Sequence, residues 1–374
     1  PVLLLLLLAG CPKKPTFDLS IPDAPSAVTE AAPQAVIEEA GRSDTPEVRA
    51  RAIAIGLHTE PERFEQWAGR GTYDPDGWVQ HQTAEALAEL AVSRPAARDA
   101  LARLVGHAGA DAYSRSHAAV LLSQLGPDSD LAQALVSEVQ ASRDPWVRSA
   151  LALGALALGS AEASDALTGP VARGDIALEL SFIQDLGRVQ AAGLDEALAS
   201  AQQRVEPEIA LMVAAARVER GDDAARSVLI NALSDEDPLV QLDAIDAALT
   251  LSNPARLLKS ARRSDDPAAR TYAAIALDAE RGRITERSER ALVESDVELR
   301  LAVLEMMPAS DVQGARQLAR RGLADDSPRV RALAARRLGQ LGLVTEDGDE
   351  ARLQSLLVDE DVFVRVEAAG ALLR

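Results

Sequence analysis

The chain has 374 residues, a formal charge of −19, 47% apolar residues and only 3% aromatic ones, so its apolar share is mostly Ala, Leu and Val, which suits thin helix-on-helix layers better than one thick core. The negative charge is spread along the chain, and this disfavours binding to nucleic-acid phosphates or adsorption on an anionic lipid surface. A single cysteine excludes an internal disulfide framework and a Cys-based zinc site.

Val2 to Leu8 is an apolar run too short to span a bilayer, and it leads into Leu8-Ala9-Gly10-Cys11. A hydrophobic run ending in small residues and then the sole cysteine resembles the lipobox of bacterial lipoprotein signals. That resemblance implies that residues 1–10 are the remnant of a signal peptide, that the Cys11 thiol carries diacylglycerol, and that the protein is lipid-anchored in the bacterial cell envelope, facing the periplasm or the cell surface. Two or three acyl chains hold a protein far more firmly than one, since each buried CH₂ contributes about 0.8 kcal/mol. The sequence starts at Pro1 without an initiator Met or a basic leader, which departs from the lipobox pattern and reads as a fragment.

Residues 11–33 follow as the lipidated Cys and a tether in which Pro12, Pro15, Pro22, Pro25 and Pro33 stand among small and polar residues. Such a composition cannot bury a core and favours an extended chain reaching on the order of 60 Å at about 3.1 Å per residue. Lys13 and Lys14 are placed to meet headgroup phosphates.

From residue 34 to 374 the chain is periodic. With Arg148 as reference, equivalents fall at Arg49, Gln80, Arg115, Glu179, Ala210, Gln241, Arg270, Arg300, Arg331 and Arg365, in steps of 29 to 35 residues. Four residues before each reference stands a helix-capping type in nearly every copy, for example Asp76, Asp144, Asp237 and Asp361. An apolar residue precedes the reference, as in Val48, Val147 and Val364, and a small or apolar one follows three residues after it, as in Ala52, Leu151 and Ala368. The spacing of four puts both on one helix face. A second helix fits between successive copies, for example Ala255 to Arg263 after Asn253-Pro254, which predicts a stack of antiparallel helix pairs.

The Asp-Pro-x-Val-Arg helix start, seen as Asp144-Pro145-Trp146-Val147-Arg148, and its recurrence over Asp44–Arg374 resemble HEAT repeats in the short form common in bacterial proteins. The resemblance implies an all-α fold, an α-α superhelix or solenoid of about eleven HEAT-like helix pairs, whose concave face in that family usually binds protein or peptide. Layers about 10 Å apart predict a rod or arc on the order of 100 Å long. The sequence ends at Leu373-Arg374 inside an inner helix, read either as the terminal cap or as a point beyond which further repeats lie.

Recurrent Asp and Arg are expected as shared repeat machinery, the Asp capping its own helix and the Arg reaching the Asp of the adjacent repeat. Aromatics are more selective. Trp78, Tyr113 and Trp146 stand two residues before the reference in three consecutive copies, and Trp67 and Tyr73 lie close by, at and within a Gly-rich connection. Stacked in register, the three rings predict an aromatic strip for a protein or peptide partner or a sugar; the competing expectation is that each ring packs within its own repeat. His58, His81, His107 and His117 fall in the first third, with His81 and His117 at neighbouring positions in successive inner helices. Without three or four converging ligands they read as surface or packing histidines, so no metal and no cofactor is expected.

The acidic clusters, such as Asp235-Glu236-Asp237, precede helices and lack the alternate-residue spacing of a calcium loop. Arg316, Arg320, Arg321, Arg329, Arg331, Arg336 and Arg337 read as an ion-paired helical surface, not a nucleic-acid groove. No phosphate-binding glycine loop or nucleophile elbow is present. These features predict a non-catalytic, membrane-anchored scaffold that binds a protein or peptide partner and no nucleic acid. The alternatives are an enzyme or enzyme accessory resembling the HEAT-like bilin lyases, and a cell-wall carbohydrate-binding module using the aromatic strip.

Overall fold

A computed structural model describes residues 32–167, 176–189, 194–201, 207–344 and 347–374; Cys11 and nearly all of the tether lie outside them. The described residues form helices and no strand. They run in eleven pairs, and the second member of each pair carries the reference position. In the first half these are α1 (Pro33–Ala40) with α2 (Pro46–Thr59), α3 (Phe64–Thr72) with α4 (Gly77–Ala91), α5 (Pro95–Gly106) with α6 (Ala112–Ser123), α7 (Ser129–Ala141) with α8 (Pro145–Ala157), and a 3-10 turn (Ala161–Ala166) before α9 (Ile176–Arg188). Then follow α10 (Leu194–Ala201) with α11 (Pro207–Glu219), α12 (Asp223–Ala232) with α13 (Pro238–Leu249), α14 (Ala255–Ala261) with α15 (Pro267–Glu280), α16 (Glu286–Glu294) with α17 (Val297–Glu305), α18 (Val312–Gly322) with α19 (Pro328–Gln340), and α20 (Asp347–Leu356) with α21 (Val362–Leu372).

The starts of the second helices follow from their first residues. Asp76, Asp111, Asp144, Asp237, Asp266, Asp296 and Asp361 each accept a hydrogen bond from a first-turn amide, satisfying a donor that the helix itself leaves free. Thr45 and Ser327, in equivalent positions, make no such side-chain cap; proline in their first turns removes one of the orphan donors instead. Asp175 and Glu206 lie outside the described residues. Three residues after each reference, Ala52, Thr83, Ala118, Leu151, Phe182, Val213, Ala244, Ala273, Val303, Ala334 and Ala368 are all buried, as the period requires.

The charged rungs differ from expectation in one respect. In two rungs the arginine reaches the adjacent repeat, but its partner there is the aspartate two residues before the capping position; Arg115 instead forks onto Glu138 of α7. Arg49 forks onto Asp74 at 2.9 and 3.0 Å, and Arg331 onto Asp359 at 2.9 Å twice. The same guanidinium also donates backward to the loop carbonyls ahead of its own helix, Ser43 and Asp44 for Arg49, Asp325 and Asp326 for Arg331. A planar fork with five donors can serve both partners at once. The capping residue is thus left to its helix, and the aspartate ahead of it also receives the amide of the capping position, as Asp359 receives that of Asp361. The arginine-rich stretch is ion-paired: Arg320 meets Asp349, Arg329 meets Glu298, and Arg336 meets Glu367.

The second helices succeed one another as neighbours, α2 beside α4, α4 beside α6 and α6 beside α8, then α9 beside α11 and on through α13, α15, α17 and α19 to α21. Two departures shape the interior. First, α9 packs on α6 as well as on α11. Second, α21 packs on α1 and α2, so the first and last pairs touch and the series is not an open rod with separated ends. The contact is close because Gly370 has no side chain: a Cβ there would come within 2.6 Å of Ile55 Cδ1. Across the same seam Glu367, 1% exposed, accepts from Arg51 of α2 at 2.6 and 2.8 Å and from Arg336 of α19 at 2.8 Å. Burial works against the charge of Glu367, but the two guanidiniums hold its carboxyl below the usual carboxylate range.

This seam generates two expectations. Replacing Glu367 by Ala strands two guanidiniums and should cost about 3 kcal/mol, the low end for breaking a buried pair. Gly370→Val should cost about 1–3 kcal/mol by overpacking. Urea denaturation measures both. Because the folded-state pKa of Glu367 is depressed, its contribution is present above the unfolded carboxylate pKa of about 4.3 and is lost as pH falls below it, so the Glu367→Ala penalty should shrink on acidification.

Candidate functional site

Helical spacing gathers the first candidate site on the interior side of α4 and α6. Trp78, His81 and Glu85 lie three or four residues apart on α4, and Tyr113 and His117 four apart on α6, so each set shares a helix face. Successive pairs then bring the faces together. Trp78 stacks on His81 with centroids 5.7 Å apart, and His81 stacks on His117 at 4.0 Å. On the next helices Tyr113 meets Trp146 at 3.7 Å.

Across this surface lies α9, contributing Ser181, Phe182 and Asp185 from one face. Phe182 stacks on Tyr113 at 4.8 Å, the Ser181 hydroxyl is 3.1 Å from His81 Nε2, and Asp185 Oδ2 is 2.7 Å from His117 Nδ1. The other nitrogen of His117, Nε2, is 2.8 Å from Glu85 Oε1. His117 therefore faces a carboxylate on each ring nitrogen, an arrangement that favours protons on both. Burial opposes that charge, but Asp185 and Glu85 outweigh it and raise the His117 pKa to about 9. His81 is pushed the other way, down to about 3, by burial and then by the neighbouring cationic His117. Hydrogen bonding from His117 holds Glu85 below its ordinary range despite partial burial. The cluster is thus an imidazolium clamped between two carboxylates, with a neutral imidazole stacked on it.

The expected aromatic strip takes a different form. Trp78, Tyr113 and Trp146 do lie on adjacent helices, but Tyr113 and Trp146 are buried, Phe182 of α9 lies on Tyr113, and only Trp78 is partly open. The row therefore offers a partner only the open part of Trp78. Trp67 is fully buried: it fills the space above Gly56, donates from Nε1 to Glu60 at 3.0 Å and lies under the Arg70 guanidinium at 4.6 Å, so it plugs the first pairs. Tyr73 is exposed in the connection to α4 and meets only the edge of His107 among ring contacts. His58 pairs with Glu89 at 3.1 Å. His81 and His117, read from the sequence as surface or packing histidines at neighbouring positions, are buried and form a four-residue cluster with Glu85 and Asp185, which that reading did not single out. A signal for Glu85 was present, since it follows His81 by four residues, one helical turn. Asp185 gave none, because nothing local says that α9 turns onto α6.

A second candidate surface lies on the interior side of α13, α15, α17 and α19, where a cavity of about 730 Å³ opens. Leu239, Leu242 and Leu301 line it together with Asp243, Asp246, Asp296, Glu298 and Glu305, against the single cation Arg329. Arg329 pairs with Glu298 at 2.5 Å, and the Tyr272 hydroxyl donates to Asp246.

No protein-family model and no characterised protein matches this sequence. The site must be read from its own chemistry.

The opposite shifts of the two histidines set a pH signature. The raised pKa of His117 gives stability that is full below its unfolded value of about 6.5 and fades as pH rises through about 9. The depressed pKa of His81 costs stability as pH falls below about 6.5. Their joint contribution should therefore peak near pH 6.5. In chelator-treated protein, the urea midpoint of wild type minus that of a His81→Leu/His117→Gln variant should trace this maximum; a flat difference between pH 5 and 9 would contradict the assigned charge states.

Proposed function

We propose that this protein is a non-catalytic envelope scaffold, a HEAT-like stack of helix pairs tethered to a membrane through acyl chains on Cys11. On this reading it binds a cationic, amphipathic stretch of a partner polypeptide in the groove along α13, α15, α17 and α19. The support is the lining of that groove: five carboxylates surround leucine side chains and face one guanidinium that is already paired. Leu239 is 43% exposed there, and the partly buried Leu242 and Leu301 extend the apolar surface between the carboxylates. A partner that places Lys or Arg beside an apolar anchor meets both requirements, and the chain's net charge of −19 favours its approach. This reading places the partner not at the aromatic row, where Tyr113 and Trp146 are buried, but in the groove that begins at α13.

Membrane attachment rests on the lipobox resemblance at Leu8-Ala9-Gly10-Cys11. Among the described residues no helix is long and apolar enough to cross a membrane, so attachment in this reading belongs to the lipid alone.

The groove is tested with a fluorescent amphipathic Lys/Leu helical peptide and its Glu/Leu counterpart. The Lys/Leu peptide should bind and weaken with added salt, the Glu/Leu peptide should not bind, and an Asp243→Lys/Glu298→Lys variant should lose at least about tenfold in affinity, or about 1.4 kcal/mol. Equal binding of both peptides, or indifference to the two lysines, would remove the groove from the proposal. Attachment is tested separately: Cys11→Ser in the secreted precursor should move the protein from the membrane to the soluble fraction, and an unchanged distribution would refute the lipid anchor.

A further inference from the structure

The junction of α4, α6 and α9 holds more ligand-type atoms than one clamped imidazolium needs. His81, Glu85 and His117 each offer one such atom, and the three lie within 4.8 Å of one another. Two observations separate this group from the acidic clusters that merely precede helices. His81 Nδ1 is buried without a hydrogen-bond partner, in a residue only 4% exposed. Asp185, almost fully buried, sits on Nδ1 of His117 and so directs Nε2 at Glu85. A carboxylate behind an imidazole in this way fixes the ring and strengthens it as a metal ligand.

We propose that His81, Glu85 and His117 form a binding site for a divalent transition-metal ion of the zinc type, with Asp185 as a positioning residue on the far nitrogen of His117. Two imidazoles and one carboxylate are a donor set such ions accept, and three protein ligands leave a further position for water or a ligand. The charge arithmetic favours the exchange. Without an ion, His117 counts +1 and Glu85 and Asp185 count −1 each, leaving −1 on the cluster. When the ion enters, the Nε2–H bond of His117 breaks, the proton leaves to solvent, and the freed electron pair forms the bond to the metal. No electron is transferred, and the cluster becomes neutral. His81 needs no deprotonation, because its surroundings already keep it neutral. Arg188, 3.5 Å from Asp185, also acts on the Glu85 carboxylate through space, and its side chain is half exposed.

Bonds of about 2.1 Å place tetrahedral ligand atoms about 3.4 Å apart, so loading draws the three atoms in by up to about 1.4 Å from the 4.8 Å limit. Glu85 can supply much of this, since its side chain is 46% exposed. The His81 ring must also turn out of its stack on His117, because an ion bonded to both rings lies near both ring planes. The Ser181 hydroxyl and Trp78 are the contacts it gives up.

The test uses the full chain, stripped with a chelator and then titrated with Zn²⁺ in equilibrium dialysis with elemental analysis, and with Co²⁺ for its visible absorption. One ion per chain is expected, with a cobalt spectrum showing nitrogen and oxygen ligation at low coordination number. Glu85→Gln and His81→Leu should each abolish stoichiometric binding at micromolar metal, whereas Asp185→Asn should keep the stoichiometry and weaken affinity about 10- to 100-fold. If His81→Leu does not fold, Glu85→Gln decides, because that side chain is half in solvent and circular dichroism will verify its fold. Wild type that binds no Zn²⁺ or Co²⁺ beyond the level of Glu85→Gln, or binding that ignores both substitutions, overturns the site.

Discussion

A pair of short helices rich in alanine cannot bury its own apolar stripe, so every pair needs a neighbour on both sides. That requirement governs this molecule. Along the series it is met by the next pair, with the arginine fork onto the aspartate ahead of the cap holding the rungs at Asp74 and Asp359. At the ends it is met by the ends themselves: α21 covers α1 and α2, Gly370 lets the backbones come close, and Glu367 ties guanidiniums from both sides of the seam. Repeat arrays that stay open must give their terminal pairs a polar outer face. Here the first and last stripes are covered by each other, and the charge at the seam is paired.

Within the series of second helices, α9 reaches back onto an earlier pair. Its neighbours include α6 as well as α11, and the face it lays on α4 and α6 is mixed, with Phe182 for the aromatic row and Ser181 and Asp185 for the histidines. An apolar helix would have sufficed to cover the rings. The polar part of the face requires that the polar groups beneath it be matched, and an interior of low polarity makes such matching strict. Two atoms of the cluster are buried without a hydrogen-bond partner, Asp185 Oδ1, which has Arg188 3.5 Å away, and His81 Nδ1, and the nitrogen is what points from packing to ligand binding.

Most of the fold was legible in the sequence because its code is local and repeated. A cap, a proline, an apolar residue and an arginine at fixed offsets recur often enough that all eleven small or apolar positions after the reference could be placed on a buried face, and all are buried. The rung was legible only in part: the adjacent repeat was the right place, but Asp74 and Asp359 accept the fork, not the caps Asp76 and Asp361, because each cap carboxylate is already engaged by amides of its own helix. The meeting of α21 with α2 was not legible, since it joins residues 316 positions apart and depends on the accumulated rotation of every pair between them. The same reason hid the cover over Tyr113. Its place beside Trp78 and Trp146 could be read from spacing, but the stacking of Phe182 on it depends on α9, whose path no local pattern encodes.

The excess of negative charge does not by itself choose between a small cation and a basic polypeptide, because both are drawn by the same field. Burial makes the choice at each place. Along α13 to α19 the carboxylates Asp296 and Glu298 are exposed, so a bare ion gains little by exchanging its water shell for them, while a polypeptide can meet several at once and cover Leu239 as well. At the histidine cluster the order reverses: His81 and Asp185 are too deeply buried for a polypeptide to reach, and a lone pair already stripped of water costs an entering ion no further desolvation of its ligand. The two surfaces therefore answer differently to ionic strength. The groove should weaken steeply as salt screens its exposed acids, and the cluster less, since His117 and Asp185 are buried and only Glu85 is half in solvent.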